Sequence, residues 1–172
     1  GRGCPFRCGY CLSYVDKSVR FRSLDTVRRE LQFFLDRRVP QVKLIDRTFN
    51  CNRRRAMEIW RYLREHDNCV TNFHFEVAAD LMDEEEIRLL QSMRPGLIQL
   101  EIGVQTANED VLREIGRSMG AAGKGRRQMQ GETLWRDAAG EPVSAEAQED
   151  SAARIARVVH ALHEGRKIHL HL

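Results

Sequence analysis

The chain has 172 residues, 42% of them apolar and 31% charged, with a formal net charge of +3. That length holds one domain with a real core, and the composition is that of an ordinary globular protein. The charge is too small to argue for a nucleic-acid partner, though it does not exclude one, and neither a membrane span nor a signal-peptide pattern is present, so no membrane partner is expected.

Three of the five cysteines open the chain, in Cys4-Pro5-Phe6-Arg7-Cys8-Gly9-Tyr10-Cys11. The spacing is C-x3-C-x2-C, with an aromatic residue before the last thiol. Thiolates this close point to one metal centre. A structural zinc or a ferredoxin-type cluster takes four protein ligands. A cubane held by three leaves one iron open, which suggests chemistry rather than a staple. An odd, unevenly clustered set of cysteines argues against a disulfide framework and for a reducing cytoplasm.

Residues 23–38 carry Leu24, Val27, Leu31, Phe34 and Leu35 on one helical face, and Pro40 stops propagation. Residues 41–46 read as a short buried strand. A second helix follows, with Ala56, Ile59, Trp60 and Leu63 on one side. The alternation of Phe73, Phe75 and Val77 predicts a strand over 72–78. Asp83 and Glu86 form a capping-box pattern that opens a third helix through about Met93. Pro95-Gly96 breaks it, and 97–104 is again a strand. Asn108 is a fitting N-cap for a helix through Val111, Leu112 and Ile115. Residues 116–150 show no sustained period and read as a flexible insertion. The helix resumes at about Ser151 with Ile155, Val158, Val159 and Leu162, Gly165 ends it, and 168–172 form a last strand.

Repeated β-α units imply an α/β fold with a parallel sheet, either doubly wound or part of a barrel. Active sites of both form at the carboxyl ends of the strands. That end collects Asp46 with Arg47, Thr48 and Asn50, then Glu76 with Asp80, then Glu101 with Gln105, and His169 and His171. Each carboxylate can equally be a helix cap or a loop hydrogen-bonder, and the two histidines can be satisfied interior residues. His66, His74, His160 and His163 read as surface or helix residues, and Arg53-Arg54-Arg55 as a solvated helix start. Cys69 falls at the start of a strand, far from the mouth, and reads as a bystander. Cys51 belongs on the active face, as a free thiol, a fourth ligand or a group just behind the ligands.

The cysteine motif, with Tyr10 inside it and β-α repeats after it, resembles the radical S-adenosylmethionine superfamily. Lys43-Leu-Ile-Asp-Arg-Thr-Phe-Asn50 and Glu101-Ile-Gly-Val-Gln-Thr106 resemble the branch whose members carry an N-terminal cobalamin-binding domain, close to the methylthiotransferases of transfer RNA. The resemblance covers nearly the whole chain outside 116–150. It implies a partial (β/α) barrel core of the radical S-adenosylmethionine type over 1–172, truncated at both ends. It implies a [4Fe-4S] cluster on Cys4, Cys8 and Cys11, with S-adenosylmethionine at the open iron and its reductive cleavage to a 5′-deoxyadenosyl radical.

Carried over by position, Tyr10 lies near the adenine and Asp46 and Thr48 near the methionine moiety, where many members have Gly-Gly-Glu. Glu76, Glu101 and Gln105 reach the sulfonium or the ribose. The implied partners are a reductant such as flavodoxin or ferredoxin and an unknown substrate. Cobalamin would come through a domain outside this chain. Two other readings compete: a non-enzymatic zinc module closed by Cys51 or a histidine, and an inert piece of such an enzyme. Open sheet edges predict poor stability alone.

Overall fold

The structure is a computed structural model that describes residues 1–6, 8–12, 18–104, 151–163 and 167–171. In chain order the elements are α1 (Leu24–Asp36), β1 (Gln41–Lys43), α2 (Arg53–Glu65), β2 (Asn72–Val77), α3 (Glu84–Gln91), β3 (Ile98–Gly103), α4 (Ser151–His163) and β4 (Lys167–His171). The four strands form one sheet in the order β1-β2-β3-β4, and every neighbouring pair is parallel. The α/β alternation read from the sequence is therefore present. Gln105, the helix after Asn108, the insertion at 116–150 and Gly165 lie outside the described residues.

Local chemistry fixes the helix starts. The Ser23 hydroxyl accepts from the Thr26 amide, and the Asn52 side chain from the Arg55 amide at 3.0 Å. Asp83 and Glu86 form the reciprocal capping box at α3. Each such cap contributes about 1 kcal/mol by satisfying orphan amides. α1 ends at Asp36, slightly before the periodicity runs out, because Arg38 turns into the left-handed region at φ 49.

The first strand is shorter than its apolar run suggests. It ends at Lys43, after which the Leu44 amide still donates to the His74 carbonyl. Beyond that the chain leaves the sheet, Ile45 stands 82% exposed, and Asp46 lies beside Gly1.

The sheet is two-faced. Phe73, Phe75, Val77, Ile98, Leu100 and Ile102 are buried beneath the helices, where they meet Trp60 and Leu63 of α2, Leu90 of α3 and Val158 of α4. Phe49 lies 4.3 Å from Phe75 and 5.5 Å from Trp60, centroid to centroid, in tilted contacts. Pairs of this kind add about 1 kcal/mol beyond area burial.

The alternate residues Gln41, Lys43, Asn72, His74, Glu76, Gln99 and Glu101 share the other face. A doubly wound parallel sheet is apolar on both faces because helices cover both. A polar second face lines a space instead, which favours the partial barrel over the doubly wound alternative. His74 is accordingly not the surface residue its sequence position suggested: its side chain is 12% exposed and faces this interior.

Among the described residues, no helix is long and apolar enough to cross a membrane.

Candidate active site

Because the strands are parallel, their carboxyl ends share one rim. The cysteine segment is held as a loop by an antiparallel bridge in which Arg2 and Arg20 exchange backbone hydrogen bonds, both at 2.9 Å. Gly3 is required at its neck. Its φ is +87, and a Cβ there would stand 2.1 Å from the Ser18 carbonyl oxygen. Within the loop the Cys11 amide donates to the Cys8 carbonyl at 3.0 Å, a tight turn that brings the second and third cysteines onto one bend. Cys8 is buried, Cys4 and Cys11 are half-buried, and none of the three is in a disulfide.

The loop meets the strand ends where the sequence placed them. The Cys4 sulfur lies 3.6 Å from the Thr48 hydroxyl, itself donated to the Arg47 carbonyl at 2.8 Å. Asp46 lies at the start of the chain, against Gly1. Burial pushes the Cys51 thiol up to about 11, and the charges of Cys4 and Asp46 push the same way. Cys4, Asp46, Thr48 and Cys51 thus form one neighbourhood on the active face. Asn50 is buried just behind it. Its side-chain amide donates to the Ala78 carbonyl at 2.9 Å, and its side-chain oxygen accepts from the Ala78 amide at 3.0 Å. This residue holds the loop after β1 against the loop after β2.

Glu76 and Glu101 are direct register partners on adjacent strands and face the interior together. The Lys43 ammonium lies 2.7 Å from Glu101 and 3.6 Å from Glu76. The hydrogen bond to Glu101, followed by the two carboxylate charges, raises its pKa against a lowering by desolvation. The His74 Nε2 lies 2.9 Å from the same Glu101 oxygen. Lys43 and His74 were the interior residues that sequence reasoning missed. The signal available was their period-2 alternation with Val42, Phe73 and Phe75, which puts them on the face opposite the core.

Below this layer, toward the amino ends, the Gln41 amide donates to Asn72 and Gln99, both at 3.2 Å. The interior therefore changes from neutral amides at the bottom to charged groups near the mouth.

The remaining expected residues are placed unevenly. Tyr10 sits in the cysteine loop, 57% exposed. Asp80 is buried in the short 3-10 turn Ala79–Leu81. His169 is the register partner of Glu101, and His171 of Gly103. Cys69 is exposed at the opposite end of the sheet, as expected of a bystander. Among the described residues no three of His, Cys, Asp and Glu are gathered closely enough to hold a metal ion. The three thiols share one loop. Their donor type, three sulfurs on a single loop at the mouth, suits an iron–sulfur cluster, and no other clustered thiol set is present among the described residues.

Comparison with known proteins agrees with this architecture. Residues 1–122 match the family described as the Radical SAM superfamily. Over 122 residues the chain is 24% identical to an uncharacterized methyltransferase of Pyrococcus horikoshii, covering 69% of this chain and 26% of that protein. The radical S-adenosylmethionine methyltransferase TsrM of Kitasatospora setae, solved with cobalamin and a [4Fe-4S] cluster, superimposes with a TM-score of 0.65. The identity is 16%, over 98% of this chain and 27% of that one. The same enzyme with tryptophan substrate and the analogue aza-SAM gives a TM-score of 0.66 at 16% identity, over 98% of this chain and 28% of that one. At that identity the likeness speaks for the fold. The chain spans about a quarter of the length of these relatives.

Proposed function

The chain belongs to the radical S-adenosylmethionine superfamily, and on that premise we propose that it forms the cofactor-binding part of an enzyme that generates a carbon radical from S-adenosylmethionine. Cys4, Cys8 and Cys11 would hold a [4Fe-4S] cluster, whose one-electron reduction of the bound sulfonium gives methionine and a 5′-deoxyadenosyl radical. The single observation that carries this reading is the meeting of the three-thiol loop with the strand ends, through Cys4 at Thr48.

The protein's own part is binding and orientation. Cys4 anchors the loop against the strand-end turn, and Asn50 fixes that turn to the next strand. Asp46 and Thr48 stand where a methionine moiety would lie beside the thiols. Glu76 and Glu101 offer acceptors to ribose hydroxyls and negative charge to a sulfonium. Tyr10 and Gln105 would complete the nucleoside side. The reductant would be a small electron carrier of the flavodoxin or ferredoxin kind, and a cytoplasmic setting suits such a cluster. Two relatives are named methyltransferases, which favours methyl transfer to a substrate, with cobalamin held outside residues 1–172.

Anaerobic reconstitution with iron and sulfide tests the reading. A cubane signal in the wild type that is lost in Cys8→Ala is expected. A wild type that binds only zinc overturns it, and would favour a tetrahedral site closed by Cys51, which shares the Cys4 neighbourhood.

A further inference from the structure

Thr48 occupies the N-cap of the 3-10 turn Phe49–Cys51. A threonine hydroxyl there ordinarily accepts from an amide of the turn, yet Thr48 makes no such bond. Backbone alone closes the turn, the Cys51 amide donating to the Thr48 carbonyl at 3.2 Å. The hydroxyl is spent elsewhere. It donates to the Arg47 carbonyl at 2.8 Å, and the Cys4 sulfur lies 3.6 Å from it, within reach for the larger sulfur atom. Thr48 is 6% exposed, which leaves water little room to replace either contact.

A hydroxyl has one proton to give. While that proton is on the Arg47 carbonyl, Cys4 meets the oxygen as a thiol and donates to it. Ligation to a metal removes the thiol proton, and lone pairs of oxygen and sulfur would then face each other. Rotation of the Thr48 hydroxyl restores a hydrogen bond, now to a negatively charged sulfur, and such charge-assisted bonds are the stronger kind. The carbonyl it leaves belongs to an exposed residue.

We propose that Thr48 is a positioning residue whose hydroxyl turns from the Arg47 carbonyl to the Cys4 sulfur when that thiol becomes a ligand, and raises the reduction potential of the centre the three thiols hold. The inference rests on the reading that Cys4, Cys8 and Cys11 carry a cubane. Hydrogen bonds to the sulfurs help set the potential of such a cluster, because a donor dipole aimed at sulfur stabilises the added electron.

The test is a potentiometric titration of the anaerobically reconstituted chain, followed by electron paramagnetic resonance. Thr48→Val, which deletes the hydroxyl at nearly constant shape, shifts the midpoint to more negative potential, with about fivefold less reduced cluster at the wild-type midpoint. Thr48→Ser, which keeps the hydroxyl, stays within about twofold of wild type. Pulsed resonance in deuterated water gives a second readout. Wild type and Thr48→Ser show an exchangeable proton coupled to the cluster that Thr48→Val lacks. If Thr48→Val takes up no cluster, Thr48→Ala serves the same two comparisons. An unchanged midpoint without the hydroxyl, an equal shift in Thr48→Ser, or the same exchangeable coupling in all variants overturns the proposal. A wild type that assembles no cubane overturns the cluster reading beneath it, and this inference with it.

Discussion

The Asn50 side chain is bonded twice to the backbone of Ala78, donating to its carbonyl at 2.9 Å and accepting from its amide at 3.0 Å. Both residues are buried. Asn50 thereby continues the β1–β2 ladder after β1 has ended, with a side chain in place of a strand. Asn50→Ala leaves a buried amide and carbonyl unsatisfied. It is expected to cost roughly 2–4 kcal/mol, read as a fall in the urea midpoint without a change in its slope. Asn50→Asp, which can accept but not donate, should fall between the two.

Glu86 gives the fold a pH dependence through its burial. It is fully buried at the capping box, one carboxylate oxygen lacks a hydrogen-bond partner among the described residues, and burial raises its pKa to about 8. Nearby Asp83 and Glu85 push the same way, while the Asp83 amide and Arg53 oppose. The folded state therefore holds a proton that the unfolded chain releases. Its contribution is complete below the ordinary carboxylate range and is lost as pH rises through about 8. Wild-type unfolding measured at pH 5.5 and 8.5, conditions chosen to straddle that window, should show a marked loss of stability at the higher pH. Glu86→Gln, which preserves the capping box, should flatten the difference; parallel curves for the two proteins would contradict it.

Gly3 sets the neck of the cysteine loop. Gly3→Ala must relieve both a left-handed φ and a 2.1 Å approach to the Ser18 carbonyl. The strain exceeds about 1 kcal/mol and falls on the loop rather than on the core. Iron loading should drop several-fold while the unfolding midpoint stays within about 1 kcal/mol of wild type. Equal damage to both readouts would mean that the loop is integral to the core.

Cys51 separates the cluster from the zinc alternative. Cys51→Ala should retain wild-type iron and sulfide after reconstitution, whereas Cys4→Ala should lose them. A requirement for Cys51 would make it a fourth ligand and remove the open coordination position.

The sequence carried the fold because its signals were local and redundant. Ser23, Asn52 and the Asp83–Glu86 box mark helix starts through hydrogen bonds made within three residues, and Phe73, Phe75 and Val77 mark a strand through simple alternation. The end of β1 was less legible, because Leu44 and Ile45 extend the apolar run while the backbone turns away to bring Asp46 and Thr48 to the cysteine loop. Of the candidate site, the compact motif at Cys4, Cys8 and Cys11 is what a local reading of the sequence picks out. His74 and Lys43 were hidden, since their place beside Glu101 comes from register across three strands, with Lys43 reaching past β2 to Glu101 on β3. No local pattern encodes that reach.

The most direct measurement of the central claim is the electron paramagnetic resonance spectrum of the reconstituted, dithionite-reduced chain before and after addition of S-adenosylmethionine. Three-thiol ligation leaves one iron open, so a cubane signal that shifts on addition is predicted, and that shift should be absent with buffer alone. A cubane signal unchanged by saturating S-adenosylmethionine would contradict the account, because the vacancy that defines the site would then hold nothing.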